Sequence, residues 1–169
     1  MATKTSTTAP RAVKAPFWHA SYYGLQFIAL LNAWGEHIHA EQALTRTRAA
    51  DPGARHALAW AESALPKFHD TLLNTLEAIP AEPLDLPLRR MTILLATLVR
   101  ENRASAFDRY ETLKSELAPF FLVPGDGPAA DEVRKTLAAA ERRFALMARL
   151  PLYRTEGVAQ DALPELIAA

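Results

Sequence analysis

The chain has 169 residues, half of them apolar and 22% charged, which suits one globular domain with an ordinary core. Nineteen basic residues balance nineteen acidic ones, so there is no basic excess for a dedicated nucleic-acid or anionic-membrane binder, and little charge repulsion opposes self-association. There is no cysteine, which excludes disulfides, thiolate zinc sites and cysteine nucleophiles, and no apolar run approaches the roughly 18 residues of a membrane span. Together these features read as a cytoplasmic protein.

The first stretch, residues 1–16, is basic and rich in Thr, Ala and Pro without an apolar h-region, so it reads as a disordered tail rather than a secretory signal. A short mitochondrial-type presequence is the alternative. From about Trp18 to Ala49 the apolar residues follow a helical period, with Gly24, Phe27, Ile28, Leu31, Trp34, Gly35 and Ile38 forming the stripe. Asp51-Pro52-Gly53 ends this segment. It opens a second helix with Asp51 as the N-cap and Pro52 at the first helical position. The stripe of helix 2 is Leu58, Ala61, Leu65, Phe68, Leu72, Leu76 and Ile79, and Pro66 inside it predicts a kink or a break. Residues 80–87, "PAEPLDLP", cannot stay helical. Helix 3 is then predicted from about Pro87 to Leu117. Helix 4 follows the "PGDGP" turn and spans Ala129 to Arg149, with Val133, Leu137, Ala140, Phe144 and Met147 on one face. The remaining segment, 151–169, reads as a short tail packed through Leu152 and Tyr153.

Period 3.6 throughout, no strand-like alternation and short connections predict an all-α fold. It is an antiparallel up-down four-helix bundle over residues 17–150, with a disordered N-terminal tail and a short C-terminal one. The alternative is a long helical hairpin that completes its core by dimerising.

One stretch concentrates ionisable groups: "WGEHIHAEQ", residues 34–42. Glu36 and His39 carry a spacing that resembles the Glu-x-x-His element of di-iron bundles. However, the pair points largely away from the stripe, and the chain holds no second such element. His37 and Glu41 behave differently. They are spaced i, i+4 on one flank of the stripe, so their side chains can meet. On helix 2, Glu62 and His69 fall within roughly 60° of the expected stripe centre. Counted from the Asp51 turn, Glu41 and Glu62 reach similar heights in an antiparallel hairpin. In helix 3 the apolar stripe runs into Asn102, Ser105 and Arg109, so "VRENRAS" interrupts the core face, and Asn102 and Arg103 reach roughly the height of Ala64 and Glu62. A polar layer of His37, Glu41, Glu62, His69, Asn102 and Arg103 follows. It is either an internal ion-pair and hydrogen-bond layer that fixes helix register, or the lining of a ligand pocket. Within it, Glu62 is expected to be partly buried and bonded to a cationic or amide group.

No other motif names a reaction. "PGDGP" has neither a preceding strand nor a following lysine, and no G-x-S-x-G or triad order is present. The sequence therefore points to a non-enzymatic helical interaction module, such as an accessory subunit, adaptor or dimeric scaffold. It needs no cofactor, and its partner is a protein or a second copy. The alternative is a bundle that binds a small ligand or metal through the layer around Glu41, Glu62 and His69. A lipid-surface helical protein fits less well, because the stripes are narrow and the polar face of helix 1 is not basic.

Overall fold

A computed structural model of the chain describes residues 20–47, 51–101, 106–107 and 109–154. It is all-α, as the sequence predicts. The helices are α1 (Tyr22–Arg46), α2 (Ala54–Glu77), α3 (Asp85–Glu101), α4 (Tyr110–Glu116) and α5 (Pro128–Met147), with short 3-10 turns at Ala118–Phe121 and Pro151–Tyr153. They pack in the antiparallel up-down order, and no strand occurs among the described residues. No helix among those residues is long and apolar enough to cross a membrane. The expected N-terminal tail, and the C-terminal tail beyond Arg154, lie outside the described residues.

α1 is the central helix, touching α2, α3 and α5. Its buried arc is therefore wider than one stripe: Leu30, Ala33, His37 and Ala40 are buried together with Phe27, Leu31, Trp34 and Ile38. A single stripe was expected, and the second flank, with His37 on it, is the correction. At its start, Ser21 caps the helix by accepting from the Gly24 N–H at 2.9 Å.

α2 starts at Ala54, with Asp51–Gly53 as the turn ahead of it, so Asp51 is not the N-cap. It runs unbroken through Pro66. Its buried face is Ala57, Ala61, Ala64, Phe68, Leu72 and Thr75, so Ala61, Phe68 and Leu72 of the expected stripe are buried, whereas Leu58 is 46% exposed and Ile79 82%. Small residues let the α1 and α2 backbones approach, and that seam is the most extensive in the molecule. One end of it is packed by alanines alone, Ala40 against Ala61 and Ala64, with Leu44 and Trp60 at the side. Turning the helix onto its alanines carries the larger Leu65 and Leu76 to the flanks, where they are half-buried.

The expected helix 3 appears as α3 and α4, beginning two residues earlier than predicted, at Asp85. The face read for α5 is correct: Val133, Leu137, Ala140, Phe144 and Met147 are all buried. The turn ahead of it relies on Gly125 and Gly127, whose φ angles of 72° and 118° suit residues without a side chain.

A polar knot that the sequence reading passed over ties three helix ends together. The buried Asp85 carboxylate accepts from the Ala81 and Glu82 N–H groups, each at 3.0 Å, and from the Ser21 hydroxyl. Arg89, one turn further along α3, reaches back to the carbonyls that end α2 and donates to Leu76 O. Tyr23 donates to Thr92 Oγ1 at 3.1 Å across the α1–α3 contact. Burial raises the Tyr23 phenol above its ordinary pKa, with Thr92 and Arg89 holding the rise back.

Candidate functional site

Ionisable groups converge where α1 and α2 meet the Pro151–Tyr153 turn. α1 presents Trp34, His37 and Glu41 one helical turn apart, and α2 presents Phe68 and His69. His37 is fully buried, and its Nε2 lies 3.0 Å from the Tyr153 hydroxyl. Its ring stacks on Phe68, with centroids 5.4 Å apart and planes 6° from parallel. Tyr153 meets His37 edge-on and packs against Phe107 at 4.9 Å between centroids. Trp34 closes the layer, edge to Phe144 at 4.7 Å, with its indole N–H directed at the Met147 sulfur 2.9 Å away.

The electrostatics follow from this burial. Desolvation first, and then the neighbouring His69, bring the His37 imidazole down to about 4, so the ring is neutral near pH 7. Burial also lowers His69, against the opposing pull of Asp70. Glu41 is half-buried and raised by desolvation. Burial, and then the Glu41 charge, push the Tyr153 phenol well above its ordinary value, so it keeps its proton. That fixes the sense of the buried bond. If Tyr153 donates to Nε2, only Nδ1–H is left over. If Nε2–H donates instead, both the Nδ1 lone pair and the phenol proton lack partners. The first arrangement leaves fewer buried polar groups unmatched, and His37 Nδ1 indeed has no hydrogen-bond partner.

Of the six residues read as a polar layer, His37, Glu41 and His69 come together. Glu62 does not. It is exposed and makes no ion pair or hydrogen bond with a described residue, so the expectation that it is partly buried was wrong. The cause is the alanine face of α2, which puts Glu62 roughly 120° from the centre of the buried side. Asn102 and Arg103 lie outside the described residues. Glu36 points outward, as expected, and pairs with Lys67 at 2.6 Å, while His39 is exposed.

Tyr153 is the residue that the layer lacked in the sequence reading. The tail was expected to pack through it, but nothing in its spacing could assign His37 as its partner from 116 positions away. The His37 and Tyr153 side chains are both buried, while Glu41 and His69 beside them are partly exposed. Among the described residues no three His, Asp or Glu side chains are close enough to share a metal ion. The arrangement docks the chain after α5 onto α1.

A second feature lies on the outside. α3 exposes Leu86, Arg90, Ile93 and Thr97 along one ridge. Arg90 donates to Phe120 O at 2.7 Å, and its guanidinium sits over the Phe120 ring, 5.7 Å from the centroid. Arg90 thus holds the Ala118–Phe121 turn beside the ridge, leaving Ile93 46%, Phe120 53% and Leu122 72% exposed. On the far side of that turn is a groove of about 460 Å³, lined by Ala118, Phe121 and Leu122 and by the Lys114–Glu141 ion pair.

The chain matches no known protein family, no curated protein and no solved structure.

Proposed function

We propose that the protein is a non-enzymatic helical interaction module that binds a protein partner through the outer ridge of α3 and the Ala118–Phe121 turn. The observation that carries this reading is the exposure of Leu86 and Ile93 on one ridge of α3 and of Phe120 and Leu122 at the turn that Arg90 ties to it. Scattered exposed apolar residues are ordinary, but an apolar helix ridge beside an aromatic ring held under a fixed guanidinium has the anchor chemistry of interfaces. The zero net charge and the absence of a reaction motif point the same way. The ligand-pocket reading has less support, because Glu62 is exposed and Tyr153 fills the space above His37.

The test is cross-linking and co-purification of the full chain from its host, beside concentration-dependent light scattering, for the wild type and for Ile93→Glu and Phe120→Ser. Capture of a partner, or self-association, that both substitutions remove while helicity is kept is the expected result. A chain that stays monomeric and captures nothing overturns the reading.

A further inference from the structure

We infer that the partner for this ridge is a second copy of the chain, with α3 lying antiparallel against α3 across a two-fold axis between Ile93 and Thr97. The inference rests on the reading of the ridge as a binding surface and adds its occupant. Leu86, Arg90, Ile93, Thr97 and Glu101 are all exposed and fall within a sector of about 80° on one helix face. Along that face the charges have a sense: the cation, Arg90, lies toward the N-terminal end and the anion, Glu101, closes the helix.

Place a second α3 antiparallel on the ridge. A two-fold axis perpendicular to the plane of the two helices reverses the helix direction but keeps each flank on its own side. With the axis between Ile93 and Thr97, Ile93 of each copy faces Thr97 of the other. Arg90 and Glu101 share one flank, so Arg90 of each copy arrives within about 1.5 Å, measured along the axis, of the level of Glu101 of the other. Two symmetric ion pairs then bracket the apolar centre, as an isologous interface requires. A parallel arrangement sets Arg90 against Arg90 and is repelled.

Both charges are available for this. Among the described residues Glu101 pairs with Arg109, at a long 3.5 Å, with the Arg109 side chain 61% and the Glu101 side chain 37% exposed. Arg90 keeps its NH1 on the Phe120 carbonyl and has further N–H donors beyond it. Phe120, on the same flank, extends the contact over the ion pair. The balanced charge of the chain leaves little long-range repulsion between copies. A single helix ridge is small beside the roughly 800 Å² per partner of a standard interface, so the dimer is concentration-dependent rather than permanent.

Sedimentation equilibrium of the full chain over a wide concentration range tests this, with circular dichroism confirming that each variant stays helical. The wild type is expected to interconvert between monomer and dimer. Arg90→Glu alone and Glu101→Arg alone should each weaken the dimer by about tenfold or more. The double variant, Arg90→Glu with Glu101→Arg, should restore it to near the wild-type value. Two results overturn the pairing: a chain monomeric at every concentration, or a double variant no better than the singles. If the chain is monomeric yet loses a captured host protein on Ile93→Glu, the ridge is an interface for another protein and the self-pairing alone is wrong.

Discussion

His37 shows how one buried side chain makes the fold depend on acidity. Its pKa stands at about 4 in the folded protein against an ordinary value of 6.5. The folded state therefore favours the neutral ring. Its contribution to stability is complete above pH 6.5, declines as pH falls from 6.5 to 4, and shrinks no further below that. About 2.5 pKa units correspond to roughly 3 kcal/mol over that window. His69, also lowered, acts in the same direction, whereas the raised Glu41 opposes them, because its protonated form is the one favoured by burial. Urea unfolding at a series of pH values should show this slope, and His37→Phe should flatten it; an unchanged slope would place the pH dependence elsewhere. Tyr153→Phe removes the phenol donor and strands Nε2, so it should cost about 1–3 kcal/mol at pH 7, read from the same curves. At this scale the sequence was only partly legible. The i, i+4 spacing put His37 and Glu41 on one flank of α1, but their distance from the core depended on how many helices cover α1. Glu62 failed for the complementary reason: its height along α2 could be counted, while its direction depended on which face of α2 the packing selects.

Among the elements, the bounds of α5 and its apolar face were readable because Gly, Pro and a regular period act locally. The face of α2 was not, since its leucine stripe and its alanine stripe both have helical spacing. The alanine stripe is buried because it permits close approach to α1, a tertiary preference that local pattern cannot rank. Helix ends carry a further lesson in the Asp85 knot, where one carboxylate serves Ser21, Ala81 and Glu82 at once. A carboxylate in a Pro-rich connection reads as a solvated loop residue, yet here it joins the start of α1 to the start of α3. Asp85→Ala removes the shared acceptor of three part-buried donors and should destabilise the fold by about 1–3 kcal/mol, measured as a lower urea midpoint with the dependence on urea unchanged. A loss under about 0.5 kcal/mol, the usual range for a surface position, would mean that the knot is ornamental.

The molecule as a whole closes on its last described turn. Leu150 and Tyr153 are both buried, and between them they cover Phe107 and His37. A chain ending at Arg149 should therefore keep its helices but lose about 3–5 kcal/mol, from two deeply buried side chains and one hydrogen bond. Chemical denaturation of that shortened chain, compared with the full one, checks this; equal midpoints would show the turn to be a passive cover. The same feature has a consequence for the order of events during synthesis. The contact between His37 and Tyr153 spans 116 residues, and that between Trp34 and Met147 spans 113. Trp34 and His37 are therefore made well over a hundred residues before the side chains that cover them. Until then that surface lacks its native cover, and apolar surface left open on a partly made chain favours transient association. The bundle reaches its final packing only once the segment carrying Tyr153 is free of the exit tunnel.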